Sequence, residues 1–184
     1  LEATYDWNFL DRGWESLALQ PGVRFSYMGE YDSEEVLGVV AKESVNETYL
    51  DIPVHVKYSY DLGAVKLSAF AGPVFSFGLG ATLIEREESG DNYSNTRFNM
   101  YTGKFKTTGK LAGNKFTESG GDGDTNYSMF DIKLGLGISA TLFEMFDVRI
   151  AYNLGLLDRM TEKVEGYNRI SHTNVFQIGV AYNF

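Results

Sequence analysis

Ser171 and His172 stand side by side near the end of the chain, with Asp158 upstream in the same polar stretch. A hydroxyl, an imidazole and a carboxylate are the parts of a nucleophilic hydrolase: the base takes the hydroxyl proton and the acid orients the base. Such a pair in a loop is also ordinary rim polarity, and the only other histidine, His55, is far away in sequence. Neither histidine has the neighbours that a metal centre requires. In GGDGDTN, residues 120–126, Asp122, Asp124 and Asn126 begin like a calcium loop, but Tyr127 falls where glycine is needed and Lys133 where a bidentate acid is needed. GLGISA, residues 135–140, spells the dinucleotide pattern G-x-G-x-x-A, which needs a helix opening at its end. GKFKTTGK, residues 103–110, has neither the spacing nor the hydroxyl of a phosphate loop. The expectation is therefore no catalytic residues, no cofactor and no metal.

The remaining ionisable groups of interest sit at alternate positions in apolar runs. In YLDIPVHVKYSY, Leu50, Ile52, Val54, Val56, Tyr58 and Tyr60 oppose Asp51, Pro53, His55, Lys57 and Ser59. The same period of two, the signature of a two-faced strand, recurs through LALQPGVRFSY, VKLSAFAGPVFSFGLGATL, FDIKLGLGISATL, FDVRIAYNLGL, VFQIGVAYNF and the opening LEATYDWNF. The polar face then carries Arg24, Asp51, His55, Lys57, Lys66, Asp131, Lys133, Asp147 and Arg149. A soluble sandwich cannot cheaply bury so many charges in its core. Inside a narrow barrel they can pair with one another, with the large apolar face turned to lipid. A soluble barrel with an apolar pocket, such as a lipocalin, is the alternative; it would need a polar outer face and fewer glycines.

Seven such strands are legible, several long enough to cross a bilayer at a tilt. Short links at 10–13, 61–63 and 143–145 alternate with long polar segments at 29–47, 84–127 and 157–171, the asymmetry of periplasmic turns and extracellular loops. Trp7, Phe9, Trp14, Tyr58, Tyr60, Phe146, Tyr182 and Phe184 then form a periplasmic aromatic girdle, with Tyr27, Tyr49 and Phe130 near the outer interface. Barrels of this kind have even strand numbers, so an eighth strand is expected upstream, after a cleaved signal peptide. Insertion of residues 97–106 as a strand is the less favoured alternative, because it would turn Lys104 and Lys106 to lipid. No apolar run is long enough for a transmembrane helix, a Cys-free chain excludes thiolate chemistry, and the net charge of −9 disfavours nucleic acid.

YLDIPVHVKY, AFAGPVFSFGLGA, IAYNLGLLD and the terminal VFQIGVAYNF together resemble the small outer-membrane β-barrel proteins of Bacteroidota, often described as PorT-like or "outer membrane protein beta-barrel domain". The resemblance, which covers nearly all of the chain except residues 85–126, implies an all-β, transmembrane, antiparallel up-and-down barrel of eight strands whose first strand is missing from this sequence, residues 1–184 forming a single barrel domain. It also implies insertion by the barrel-assembly machinery, which reads a terminal strand such as Phe176, Ile178, Val180, Tyr182 and Phe184. It carries no catalytic residues. The function expected is that of a non-enzymatic structural or interaction subunit of the bacterial outer membrane with a closed polar interior. Its partners would be outer-membrane lipid and other envelope proteins. A narrow pore for ions or small solutes and a rim enzyme acting on lipid or peptide are the alternatives.

Overall fold

The computed structural model describes residues 1–36, 38–121, 127–159 and 172–183, and within them every regular element is a strand of one antiparallel sheet. In chain order these are β1 (Glu2–Thr4), β2 (Trp7–Asp11), β3 (Glu15–Val36), β4 (Val39–Asp61), β5 (Val65–Ser89), β6 (Asn92–Asn99), β7 (Phe105–Leu111), β8 (Asn114–Gly120), β9 (Phe130–Leu142), β10 (Phe146–Gly155) and β11 (Val175–Tyr182). Successive hairpins join β3, β4 and β5; β9 returns to β5, and β10 and β11 follow. β1 and β2 share one lane beside β3. No backbone pairing joins β11 to β1 or β2 among the described residues, but the sheet curls enough for side chains to bridge its edges. Arg149 on β10 meets Glu2 on β1 at 2.9 Å, and the Arg24 guanidinium on β3 donates to Gln177 on β11 at 2.8 Å.

The curl works because the strands are inside out relative to a soluble core. Ile138, Ile178 and Val180 are 60–76 % exposed, whereas Gln20, Asp51, His55, Lys133 and Asn153 are almost fully buried. A wall of this kind is stable only where lipid, not water, meets the apolar face.

The three tight turns between neighbouring wall strands follow from local chemistry. In two of them an aspartate accepts the N–H two residues on, Asp11 from Gly13 and Asp61 from Gly63, and each glycine takes the left-handed backbone that the turn needs. In the third, Phe143 and Glu144 both adopt positive φ between Leu142 and Met145, which are joined by a hydrogen bond. That is a primed hairpin turn without its usual residues.

Two sequence expectations need correction. LEATYDWNF is not one strand: it breaks at Tyr5–Asp6, where the Asp6 carboxylate turns to accept from Lys57 at 2.8 Å and Gln20 at 2.6 Å. Segments 29–47 and 84–127 are not mainly loop; most of each is strand, because β3, β4 and β5 continue past the barrel wall and β6, β7 and β8 add to the extension. As expected, residues 97–106 stay out of the wall. β5 gives its edge to β9 over Val65–Phe77 and to β6 over Thr82–Ser89, either side of a bulge at Gly78–Gly80. The six-stranded extension is called the blade below.

Candidate functional site

Alternation delivers polar side chains from every wall strand to the concave face of the curled sheet. Arg24 and Asp51 pair Nε to Oδ2 at 2.9 Å, and the Asp51 carboxylate also accepts from Ser26 at 2.8 Å and Ser76 at 2.6 Å. Four charge-assisted contacts thus converge from β3, β4, β5 and, through Gln177, β11. Asn153 donates to the same Gln177 oxygen at 3.1 Å. On β10, Asp147 accepts from Thr141 at 2.8 Å, while Arg149 reaches Gln20 at 3.1 Å besides Glu2.

The middle of the lumen is aromatic as well as ionic. Phe70 lies beneath the Arg149 guanidinium at 4.6 Å and beside His55 at 5.0 Å. Neither His55 ring nitrogen hydrogen-bonds to a described residue. Lys133 and Asp131 are buried on β9, with the Lys133 ammonium 4.9 Å from the Tyr49 ring centroid. Lys66 differs from the sequence expectation: its side chain is 42 % exposed at the tight-turn rim, 3.9 Å from Asp61, because β5 begins there. Near that rim a polar cavity of about 340 Å³ is lined by Asp6, Asn8, Lys57, Ser59, Lys66 and Thr141.

At the opposite mouth, one residue organises the contacts. Arg159, just beyond β10, is 1 % exposed. Its guanidinium donates to Glu47 at 3.1 Å, to Tyr101 at 3.3 Å and to Thr173 at 3.3 Å, and closely to the Tyr49 hydroxyl. It also stacks over the Tyr127 ring at 4.3 Å, and Tyr127 in turn donates to Glu47 at 2.6 Å. The Tyr101 hydroxyl lies against Gly78 in the β5 bulge, where any side chain would collide with the ring. Burial, then the neighbouring Glu47 carboxylate, pushes the Tyr127 phenol well above its ordinary range, and burial raises Tyr101 as well.

Sequence reasoning missed this cluster in two ways. Tyr49 is not at the outer interface: it is buried inward, as its even spacing from Asp51 on the same strand implies. Arg159, Tyr101 and Tyr127 come from connections, where no periodicity marks a face. The predicted girdle residues Trp7, Phe9, Trp14, Tyr58, Tyr60, Phe146 and Tyr182 are all exposed on the outer surface at the tight-turn end, as are Phe176, Ile178 and Val180 of the terminal strand. Trp14 packs edge-on to Tyr60 and Phe146 to Tyr182. Phe184 lies outside the described residues, as do Ser171, Asp122, Asp124 and Asn126. His172 is exposed, its Nδ1 3.0 Å from the Leu157 carbonyl oxygen.

A curled antiparallel sheet with a lipid-facing apolar wall and an ion-paired interior defines an integral outer-membrane barrel protein. The family model described as outer membrane protein beta-barrel domain matches residues 6–160, most of the chain. The chain belongs to this family, and its place is the bacterial outer membrane. No curated protein and no solved structure matches it.

Proposed function

We propose that this protein is a non-enzymatic structural or interaction subunit of the envelope, one of the small barrels typified in Bacteroidota, with tight turns in the periplasm and its blade outside the cell. The single observation that supports a closed interior is the Arg159 cluster. One buried guanidinium with partners on β4, on the β6–β7 turn and beside β9 and β11 leaves little room for a solvated path at that mouth. Mixed charges that pair across the lumen also argue against a ring of one sign, which a selective pore would use. With the lumen taken up by its own side chains, the surfaces left for partners are the blade and the lipid-facing wall.

A narrow pore is the second reading, favoured by the polar cavity at the tight-turn end. Planar-bilayer recording of the full-length protein decides between them. No steady unitary conductance is expected; discrete, long-lived open steps would overturn the closed interior. Gentle detergent extraction of the tagged protein from native membranes, followed by mass spectrometry and sizing, tests the subunit role. Stoichiometric companions are expected, and a lone monomeric barrel would overturn it.

A further inference from the structure

The blade separates its charges by face. Directly opposed residues of antiparallel strands share a face, so the strand registers fix the assignment. The face continuous with the barrel interior carries Glu30, Asp32, Glu34, Glu43, Glu85 and Glu87, and no Lys or Arg among the described strands. The face continuous with the lipid-facing wall carries Lys42, Arg86, Arg97, Lys106, Lys110 and Lys115 against only Glu35 and Glu88. Arg86 pairs with Glu88. None of the other five bases makes an ion pair among the described residues.

The arrangement is costly within the chain alone. Lys42 stands directly opposite Arg86, Arg97 opposite Lys106, and Lys110 opposite Lys115. Like charges in directly opposed positions destabilise a sheet, and acids moved over from the other face would turn each pair into a cross-strand ion pair. Two of these three pairs have no counter-charge among the described residues, Arg86 alone being paired with Glu88, and the face so formed favours anions from outside the chain.

The position of the basic face selects those anions. It continues the same outward side chains as Val23, Phe25 and Tyr27 on β3 and Phe77 and Leu79 on β5, all of them exposed lipid-facing groups. Arg97 and Lys106 share a cross-strand row with Tyr31, two outward positions beyond Tyr27. From strand rise and tilt Tyr31 lies about 10 Å beyond the Tyr27 level, a distance that long side chains leaning back toward the interface partly span.

We propose that the basic face of the blade binds the phosphate groups of phosphorylated glycolipid headgroups in the outer leaflet, so that the blade lies against the membrane surface around the barrel. This rests on the outward orientation proposed above. The experiment is native mass spectrometry of the detergent-solubilised full-length protein mixed with diphosphorylated lipid A or with its dephosphorylated form, inorganic phosphate serving as competitor. The wild type is expected to retain the diphosphorylated lipid in preference, and the K42Q/R97Q/K106Q variant to retain it on the order of 100-fold more weakly. The E30Q/E43Q/E85Q variant should bind as wild type does, and free phosphate at millimolar concentration should not displace the lipid.

Equal retention of both lipids, or unchanged binding by the basic-face variant, overturns the proposal. Displacement by free phosphate would make the face a soluble-anion site instead. Self-association abolished by either triple variant would mean that the acidic face of a second copy is the occupant. Heat-modifiable gel migration confirms that each variant is folded; if the triple fails, Lys106→Glu alone carries the same comparison. Whole-cell labelling of Lys115→Cys with an impermeant maleimide tests the orientation separately, since the chain has no other cysteine.

Discussion

Arg24 and Asp51 stand directly opposite each other on β3 and β4, and their side chains close the same pair from within, 2.9 Å apart and almost completely shielded. The pair ties register to charge: slipping either strand by one residue would send one partner into lipid. Removing only one partner leaves a buried charge unmatched, so Arg24→Met is expected to cost about 3–5 kcal/mol. The double variant R24M/D51L should recover much of that loss. Urea unfolding in lipid vesicles, arranged as a double-mutant cycle, gives the coupling; simple additivity of the two changes would refute it.

Gly72 and Gly80 lie on the same strand and make opposite demands. A Cβ at Gly72 would fall on the Val54 carbonyl and 2.9 Å from His55 Cα, both backbone, whereas one at Gly80 meets nothing within 4 Å. Gly72→Ala should destabilise by about 1–3 kcal/mol, and Gly80→Ala by no more than about 0.5 kcal/mol. Equal midpoints in the same unfolding assay would contradict the close approach of β4 and β5.

The Phe143–Glu144 turn holds two residues with side chains in the left-handed region, a conformation that Asn and Gly adopt more readily. Replacing them as F143N/E144G should stabilise the β9–β10 hairpin by about 1 kcal/mol. The gain should appear as slower unfolding with no change in the lumen contacts. A loss of stability would mean that the exposed Phe143 ring contributes more at the interface than the strained backbone costs.

Tyr101 and Tyr127 lie outside the wall strands and have raised phenol pKa values, first through burial and, for Tyr127, through its hydrogen bond to Glu47. For an acid whose folded pKa is raised, the stabilising contribution is complete below the unfolded value of about 10 and is lost as pH climbs through the folded value. An alkaline titration followed at 295 nm should therefore show a fraction of the tyrosines ionising only well above the free-tyrosine value of about 10. Glu47→Gln should move part of that fraction down. A single uniform transition would show that the cluster around Arg159 is not protected.

How much of this was legible in the sequence depends on what set each residue's place. The wall strands were, because lipid and lumen impose an apolar–polar alternation that reads directly from Leu50 to Tyr60. Phe70 and Tyr49 break the simple rule of small and polar side chains inside, yet parity with Ser68 and Asp51 puts both in the lumen. The blade was harder, since its registers divide charges rather than apolar groups between its faces and apolar periodicity vanishes. Its alternation survives only as a sign of charge, Glu30, Asp32 and Glu34 on one side and Lys106 and Lys110 on the other. Arg159 was not legible at all: its partners come from four separate stretches of chain, and only the curl of the sheet brings them together.

The single edge of β5 that serves β9 below the bulge and β6 above it has a consequence for how this chain folds and diversifies. The polypeptide leaves the wall at Thr82 and rejoins the same edge at Phe130, so everything between is an excursion whose two ends meet. Closing such a detour costs only about 0.6 kcal/mol more for each doubling of its length. The β6–β8 meander also folds back on itself through neighbours in sequence, which brings the ends together before β9 must find its partner. The barrel wall can therefore lengthen, shorten or exchange this appendage with little effect on its own assembly, which leaves the appendage free to change while the wall stays constant.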